Sequence, residues 1–542
     1  MKKALIFILL PLLFSCASQQ KADLIVHNAL VYTVDDSFSV AEAFAIKDGK
    51  IIEVGTSAEL LKKYSGEKID AEGKAVYPGF IDGHAHFYNY GSGLQNADLT
   101  GTKSWEDILV KLQDFAKNNK SEWIVGRGWD QNDWKVKEFP DNERLNELFP
   151  TTPVILSRVD GHAAIANKAA LDLAGIKPGQ LVSGGEVETI GGKLTGILVD
   201  NAVGLVYSKI PDPNQKQVEE SLLDAQKNCF AVGLTTVTDC GIDHRLIPVI
   251  DTLQKSDQLK MRIYGMLHDN EANFDYLFKN GAFKSERLNV SSFKVYADGA
   301  LGSRGARLLQ PYSDKPNSSG FLLSDKQHYA EIAQKIADQG FQMNTHAIGD
   351  SANREILKVY AKVLKGKNDR RWRIEHAQVI DQADFKLFGE NNIIPSVQTT
   401  HATSDMYWAG DRLGPDRVKG AYAFKQLLDQ NGWIVLGTDF PVEDINPMYT
   451  FYAAVVRKDM KGFPAKGYQV ENALSREEAL RGMTIWAAKG NFEEKEKGSI
   501  EKGKFADFVI LDEDIMKTNA EKLFNVKVLK TFVNGEGVYS RK

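Results

Sequence analysis

The stretch "YPGFIDGHAHFYNYG", Tyr77 to Gly91, decides the fold, because a short apolar run ends there on two histidines one residue apart. Residues i and i+2 of a strand point to the same face, so His84 and His86 can both turn to one side of a sheet. An isolated pair of this kind is weak evidence, since a buried histidine is more often a hydrogen-bonded core residue than a ligand. Other features of the sequence are needed to distinguish a metal-binding pair from two structural histidines.

Further apolar runs of strand length alternate with helical stretches after this one. They are "LTTVTD" (234–239), "MRIYGML" (261–267), "SFKVYAD" (292–298), "FQMNTHA" (341–347), "WRIEHAQ" (372–378), "IIPSVQ" (393–398) and "WIVLGTD" (433–439). With the run that ends at His86, eight strands result. Eight strands in β/α alternation predict an α/β protein with a closed (β/α)₈ barrel, in which sites gather at the C-terminal ends of strands.

Polar residues interrupt these apolar runs near their ends. Lys294 lies in the fourth run, His346 ends the fifth, His376 lies in the sixth and Asp439 ends the eighth. A buried polar group costs several kcal/mol unless it is paired or ligated. Their occurrence together with His84 and His86 at separate strand ends predicts a metal site inside the barrel.

The two ends of the chain have a different texture. Residues 24–80 alternate apolar and polar positions around turn residues, and residues 498–540 do so again. We expect one small β-sandwich built from residues 17–76 and 492–542, with the barrel at 77–491. Residues 93–214 are too long for a connecting loop and predict an inserted subdomain after the first barrel strand.

The first residues, "MKKALIFILLPLLFSC", have the layout of a signal peptide: two lysines, a short apolar run and Cys16. They resemble a bacterial lipoprotein signal, which predicts a lipid on Cys16 and a lipid-anchored protein of the cell envelope, on its periplasmic or surface face. Simple cleavage nearby and a buried core helix are the alternatives. Cys229 and Cys240 then remain, either as a disulfide or as two buried thiols.

Composition excludes some partners. The 542 residues are 43% hydrophobic, and 67 basic against 72 acidic residues give a net charge of −5. This composition is that of an ordinary globular protein and has no excess of basic residues to bind a phosphate backbone. Nucleic acid is therefore not expected as a partner. Whether the chain forms a homo-oligomer is left open.

Several motifs make the sequence recognisable. They are "PGFIDGHAH", "FKVYADGALGSR", "NTHAIGD", "RIEHAQ" and "GTDFPV", closed by "GSIEKGKFADFVIL". In this order they resemble the amidohydrolase superfamily over nearly the whole mature chain, and "SVQTTHATSDMYWAGDRLG" resembles the group 3 proteins similar to N-substituted formamide deformylases. The resemblance implies a metal-dependent barrel, a β-sandwich and hydrolysis of a C–N bond in a small amide-like substrate, such as an N-formyl or N-acyl amine.

The resemblance also implies how one or two divalent ions are held. His84 and His86 would bind the first ion, His346 and His376 the second, and Lys294 would bridge both as a carbamate. The alternatives for Lys294 are a side chain that snorkels from the barrel or pairs with Asp298. Zinc suits a set rich in nitrogen and oxygen and poor in sulfur, and iron, manganese and nickel are left open.

Two residues are expected to take part in the chemistry. Asp439 would accept a proton from metal-activated water and deliver it to the leaving amine; orienting a histidine is its alternative role. His162, in "SRVDGHAAIANKAAL", would hydrogen-bond the substrate carbonyl from the inserted segment. Its alternative is a structural histidine at a helix cap.

Further candidates could contact the substrate. Trp129 and Asp130, in "GRGWDQNDW", could wall a pocket or belong to the core. Arg304 could contact substrate or only fix its glycine-rich loop, and Gln398 and His401 follow the seventh strand. His27, His244, His268 and His328 are expected to be structural.

Two other functions stay open. One is metal-dependent hydrolysis of another bond, in a lactone, ester or phosphotriester. The other is a lipoprotein that binds a ligand without turnover; such a binder should have lost at least one of the six ligand positions, and this chain keeps all six.

Overall fold

The computed structural model describes residues 19–119 and 122–542, so the predicted signal segment and Cys16 lie outside the described residues. The central sheet contains eight parallel strands, paired with one another in chain order, and the short strand Phe283–Lys284, which pairs antiparallel with the fourth of them. The eight parallel strands are Phe80–Ala85, Leu234–Ile242, Arg262–His268, Leu288–Tyr296, Gln342–Ala347, Arg373–His376, Ile394–Gln398 and Val435–Gly437. We call them barrel strands 1 to 8, and the predicted (β/α)₈ barrel is confirmed.

Barrel strands 8 and 1 lie next to each other, and contacts between them close the sheet into a barrel. The Asp439 backbone N–H donates to the His84 carbonyl at 2.7 Å. The Asp82 carboxylate accepts from the backbone N–H and the hydroxyl of Thr438, at 3.0 and 2.7 Å. Gly437 makes this approach feasible, because a Cβ there would lie 2.4 Å from the His84 backbone nitrogen.

Helices surround the barrel strands and cover their outward side chains. Phe293 and Val295 of barrel strand 4, for example, are fully buried against this layer. Burial on both faces explains why the strands read as nearly continuous apolar runs. The helices are Phe87–Gly93, Gln215–Ala231, Leu246–Lys255, Glu271–Asn280, Lys326–Asp338, Asp350–Leu364, Phe385–Glu390, Thr399–Asp405, Ala409–Arg417, Phe424–Asn431, Pro447–Val456, Arg476–Gly482 and Ile485–Gly490.

A second sheet lies between barrel strands 1 and 2 in the sequence. Its strands, in spatial order, are Gly185–Ile190, Lys193–Asp200, Ala163–Ala166, Val154–Arg158, Ile124–Trp129 and Ala97–Asp98. The helices Trp105–Asn118, Glu143–Leu148, Lys168–Ala174 and Asn201–Tyr207 accompany it. This inserted sheet falls within the predicted subdomain, whose boundaries at 93 and 214 stay predictions.

Both ends of the described chain contribute to two further sheets. The first contains Lys50–Gly55, Ala43–Lys47, Gln20–His27 and Tyr64–Asp70, with the helix Ser57–Lys63. The second contains Glu536–Ser540, Val528–Val533, Phe508–Leu511, Ala75–Pro78, Leu30–Tyr32 and Val40–Ala41. Phe44 of the first meets Phe508 of the second edge to face, with ring centroids 5.0 Å apart.

The first apolar run is divided between two sheets. Ala75–Pro78 belongs to the terminal sheet and Phe80–Ala85 to the barrel, with Gly79 between them. A Cβ on Gly79 would lie 2.2 Å from the Thr235 hydroxyl oxygen, so the crossing point needs glycine. The boundary expected from the sequence lies between residues 76 and 77, and the apolar pattern alone does not mark Gly79, because the pattern runs through this point without a break.

The two cysteines of the described chain are separate. Cys229 and Cys240 are both free and buried, which agrees with the thiol alternative. No helix among residues 19–119 and 122–542 is both long enough and apolar enough to cross a membrane.

Candidate metal centre

Four histidines, three of them buried and His86 partly exposed, meet at the C-terminal ends of three barrel strands. His84 and His86 come from strand 1, His346 from strand 5 and His376 from strand 6. Ring centroids lie 5.7 Å apart for His84 and His86, 4.8 Å for His84 and His376, and 4.5 Å for His346 and His376. The structure therefore brings together imidazoles from residues as far apart as 84 and 376.

The Asp439 carboxylate lies beside these rings. Its Oδ1 is 3.4 Å from His84 Nε2 and 3.2 Å from His86 Nε2. The backbone of Asp439 has φ 65°, and that of His376 has φ 71°, which is the left-handed region that such residues rarely adopt. Backbone strain of this kind clusters at functional sites, where the surrounding structure holds a side chain in a required direction.

The three rings other than His84 have environments that favour the neutral form. Burial lowers the pKa of His86 to about 4 and lowers those of His346 and His376 well below the usual range. Gln398 Oε1 lies 2.7 Å from His376 Nδ1 and so accepts its hydrogen bond when Nδ1 is protonated. A neutral ring held at Nδ1 presents Nε2 as a lone-pair donor, which is the form that binds metals.

Lys294 enters the same space from barrel strand 4. Its side chain is fully buried, and Nζ lies 3.5 Å from His84 Nε2 and 4.7 Å from the centre of the Tyr296 ring. Within the described chain no carboxylate forms an ion pair with it. Asp298, the alternative partner, instead accepts hydrogen bonds from the backbone N–H groups of Arg307, Ile348 and Gly349.

His162 reaches the histidine cluster from the inserted sheet. Its ring lies 4.9 Å from that of His346, and its Nδ1 lies 2.6 Å from Asp200 Oδ1. Burial disfavours the charged ring, but the hydrogen bond and the charge of Asp200 outweigh burial and raise the pKa of His162. The sequence did not single out Asp200, although strand pairing of Ala163 with Val199 brings it beside His162.

His401 lies closer to the centre than the sequence indicated. Its Nε2 is 3.4 Å from Asp439 Oδ2, and its Nδ1 is 3.0 Å from Glu443 Oε1. Burial opposes the charged form of His401, but hydrogen bonds to Asp439 and Glu443 raise its pKa to about 10. The helix Thr399–Asp405 directs this ring inward, directly after barrel strand 7.

A cavity of about 470 Å³ opens over these residues. Its lining includes His86, His162, Lys294, His346, His376, His401 and Asp439. The inserted sheet forms one wall, with Arg127, Asp130 and Arg158, and residues 439–443 form another. The volume is that of a site for a small molecule, placed where barrel enzymes bind their ligands.

Comparison with known proteins identifies the family. The profile of the amidohydrolase family matches residues 67–539. The chain belongs to the amidohydrolase family. Membership makes it a metal-dependent hydrolase as a class and confirms the resemblance found in its motifs.

Relatives of this amidohydrolase cover nearly its whole length. The protein LONG AFTER FAR-RED 3 of Arabidopsis thaliana is 33% identical over 539 residues, covering 96% of this chain and 92% of the relative. The N-substituted formamide deformylase of Arthrobacter pascens is 26% identical over 546 residues, covering 96% and 99%. A metal-dependent hydrolase of Pyrococcus horikoshii has a crystal structure similar to this one, with a TM-score of 0.75, 28% identity, and coverage of 92% and 99%.

The residues of this amidohydrolase suit a divalent cation. His346 Nε2 and Asp439 Oδ1 are buried without a hydrogen-bond partner, which is costly unless another ligand satisfies them. Donor atoms of His84, His86 and Asp439 lie close enough together to share one ion, and so do those of His376, His401 and Asp439. Both groups consist of imidazole and carboxylate donors, which zinc and similar ions accept.

Three sequence candidates for substrate contact lie outside the cavity lining. Gln398 does not line the cavity, because its amide oxygen is directed at His376 Nδ1. Arg304 fixes its loop through Asp314, with Nη2 2.9 Å from Oδ2, and does not reach the cavity either. Asp130 does line the cavity, in an ion pair with Arg158.

Trp129 is the third of these residues, and its position agrees with the core alternative. It is fully buried in the core of the inserted subdomain, and its indole N–H donates to the Leu156 carbonyl at 2.7 Å. The strand has a register shift between Arg127 and Trp129, where Gly128 has φ 108°. A bulge of this kind breaks the alternation of side chains. Arg127 therefore lines the cavity, and Trp129 turns to the core.

Glu375 was not among the sequence candidates, although it holds a candidate ligand. Its Oε2 lies 2.5 Å from His84 Nδ1, and its Oε1 accepts from Arg373 Nε at 2.7 Å. Burial alone would raise the pKa of Glu375, but Arg373 and His84 hold it well below its usual range. Arg373 and Glu375 alternate along strand 6, and two charged residues in so buried a run could have marked them.

We expect Glu375→Gln to weaken metal binding about 10- to 100-fold, since the partners that orient metal-bound histidines carry effects of this size. The same change leaves the buried Arg373 guanidinium without its carboxylate and destabilises the fold by about 3–5 kcal/mol. Metal titration and thermal unfolding measure the two effects. Glu390→Gln, at an exposed position, is the matched control. Unchanged metal affinity in a folded Glu375→Gln protein would contradict the assigned contact.

Proposed function

We propose that this amidohydrolase cleaves the C–N bond of an N-formyl or N-acyl amine. The observation that carries the proposal is the cluster of His84, His86, His346 and His376 around Asp439, at the floor of a cavity of small-molecule size. The similarity to N-substituted formamide deformylase over almost the full chain supports this bond type.

The metal-holding residues follow from the donor groups. We propose that His84, His86 and Asp439 hold one ion, that His346 and His376 contribute to a second, and that zinc is the metal. His401 lies 3.4 Å from the same carboxylate, but its raised pKa favours the charged ring, so we do not count it among the metal donors. A bound divalent cation supplies Lewis-acid polarisation of a carbonyl and lowers the pKa of water towards neutrality.

The side chains around the cations handle the proton and the substrate carbonyl. The Asp439 carboxylate lies between the His84 and His86 pair and His401, where it can take a proton from the attacking water and return it to the departing amine nitrogen. The raised pKa of His162 favours the ring with protons on both nitrogens. Asp200 then fixes Nδ1–H, and Nε2–H can donate to the carbonyl oxygen as negative charge develops there.

We expect His162→Asn to lower kcat about 10²- to 10³-fold, the effect of removing one donor to a developing oxyanion. Metal content should stay near the wild-type value, because His162 belongs to the substrate side of the cavity. Asp200→Asn, which removes only the charge that orients the ring, should lower kcat by a smaller factor. Metal analysis and steady-state kinetics on the same preparations measure metal content and kcat separately. A loss of metal from His162→Asn equal to its loss of activity would count against this role.

The bond type is tested by a substrate screen. Protein beginning at Ala17, assayed for metal, is offered N-formyl amines, N-acyl amines, cyclic amides, lactones, esters and phosphotriesters. We expect turnover of at least one N-formyl or N-acyl amine and its loss on chelation. Turnover confined to lactones, esters or phosphotriesters would contradict the proposed C–N bond. Ligand binding without any turnover would contradict the assignment as a hydrolase. The lipid on Cys16 and the envelope location stay predictions.

A further inference from the structure

Arg127 is a cation of the cavity wall that the proposed chemistry does not use. It lies on the inserted strand Ile124–Trp129, and its side chain lines the cavity together with His162 and Asp439. Nη2 donates to the Val159 carbonyl at 2.9 Å, while Nε is buried without a hydrogen-bond partner. A guanidinium carries five N–H donors, so those of Nη1 and the second of Nη2 are not used by this bond.

No carboxylate of the described chain forms an ion pair with Arg127. Each acidic side chain in the cavity lining near it has another partner. The pairs are Asp130 with Arg158, Asp160 with Arg158, Glu443 with His401, Asp439 with His401, Asp405 with Tyr422, and Asp133 with Lys103. Asp160 is occupied on both sides, because its second oxygen accepts from the His162 backbone N–H at 3.0 Å.

The loop that carries His162 fits closely over this guanidinium. Gly161 has φ 73°, and a Cβ there would lie 3.2 Å from Arg127 Nη1. Glycine therefore lets the loop pass beside the charged group and keeps Arg127 and His162 on the same wall. Burial lowers the pKa of Arg127 from its ordinary value, although Tyr207, Asp439 and Asp160 act in the opposite direction.

A partly buried guanidinium without a carboxylate carries a desolvation cost unless something supplies the missing charge. A planar carboxylate matches the fork of N–H donors and binds it by charge-assisted hydrogen bonds. We propose that Arg127 binds a carboxylate of the substrate, so that the class of substrate is an N-acyl or N-formyl amine that also carries a carboxylate. This inference rests on the proposed function and specifies the substrate of the same site.

The test uses substrate pairs that differ only in this charge. N-formylphenylalanine and N-acetylphenylalanine, in both enantiomers, are compared with their primary carboxamides by kcat/KM. We expect kcat/KM of the metal-loaded enzyme to be about 10- to 100-fold higher for the carboxylate than for the carboxamide. This is the contribution of a hydrogen bond to a charged group, expressed as a ratio at 1.4 kcal/mol per factor of ten. In Arg127→Met this preference should disappear, and Arg127→Lys should restore only part of it, because an ammonium lacks the fork.

The control variant is Arg144→Met, an exposed arginine of the same inserted segment that pairs with Glu147 and lies outside the cavity lining. It should keep the full preference. If Arg127 only supports the Val159 loop, its replacement lowers kcat/KM for both members of each pair by the same factor. That result would overturn the inference and leave the hydrolase standing.

A binding measurement separates this inference from the proposed function. Calorimetry with phenylacetate and phenylacetamide needs no turnover, and we expect phenylacetate to bind at least about 10-fold tighter to wild type than to Arg127→Met. If no amide is hydrolysed but this difference appears, the carboxylate site stands and the proposed reaction fails. If amides are hydrolysed and the two ligands bind both proteins alike, the carboxylate site fails alone.

Discussion

Replacing His376 with alanine is expected to give a folded protein that has lost at least about 10³-fold in kcat and most of its metal. The ring supplies a donor to the group around Asp439, and Gln398 Oε1 accepts from its Nδ1 when that nitrogen is protonated. Lewis-acid stabilisation contributes several kcal/mol to such reactions, and each 1.36 kcal/mol is a factor of ten. The strand that carries His376 is fixed by backbone pairing with strands 5 and 7, which the change leaves in place.

His84→Ala should behave in the same way, since His84 belongs to the other donor group with His86 and Asp439. Metal analysis, far-UV circular dichroism and steady-state kinetics on the same preparations measure the effect. His328→Ala is the matched control, because that histidine is partly exposed and lies away from the cavity. Full activity in a His376→Ala protein that holds no metal would exclude the proposed mechanism.

The second large effect is expected at Lys294, where alanine should abolish most of the activity. A bare ammonium there would repel each nearby divalent cation, at roughly 4 Å and an effective dielectric near 20, by about 4 kcal/mol or more per unit of charge. Addition of CO₂ to the amine gives a carbamate and releases a proton, which changes the sign of the charge and supplies two oxygens. The absence of a carboxylate partner for Lys294 within the described chain agrees with this proposal.

A short carboxylic acid added to Lys294→Ala should restore part of the activity, because it can occupy the space of the carbamate. Bicarbonate should likewise speed metal reconstitution of wild-type protein that has been stripped of CO₂. Lys335→Ala, on a surface helix, is the control and should not respond to the acid. An unmodified Lys294 in a fully active, metal-loaded enzyme, seen by intact mass or crystallography, would contradict the carbamate and leave the histidine site intact.

The barrel and its histidines could be predicted because both depend on short-range patterns. Each barrel strand is a nearly continuous apolar run, and its C-terminal residues face the cavity by the geometry of the fold. The ligand candidates therefore appear as polar residues at the ends of apolar runs. Lys294 is an example: Phe293 and Val295 beside it are buried against the helices, while Lys294 lines the cavity.

Contacts between distant segments could not be predicted in this way. His162 and Asp200 meet because the two antiparallel strands near them pair in one register, and 38 residues separate them. Glu375 was hidden for another reason. It adjoins His376, and neighbouring residues of a regular strand face opposite sides. Here both side chains lie against His84, and His376 has φ 71°.

Local irregularities of the backbone account for the remaining differences between the expected and the observed cavity lining. The bulge at Gly128 reverses the side-chain direction between Arg127 and Trp129, so the aromatic residue enters the core and the arginine enters the cavity. Arg304 could have pointed to either side of its glycine-rich loop, and its pairing with Asp314 depends on how residues 305–314 fold back. Neither the bulge at Gly128 nor the direction of the Arg304 side chain produces a periodic pattern in the sequence.

The most direct test of the central claim is a metal titration of activity. Protein beginning at Ala17 is stripped with a chelator, and hydrolysis of an N-formyl amine is followed as zinc is added back. We expect no turnover in the stripped protein and full recovery after one or two equivalents of zinc per chain. Undiminished hydrolysis by protein shown to be free of metal would contradict the account.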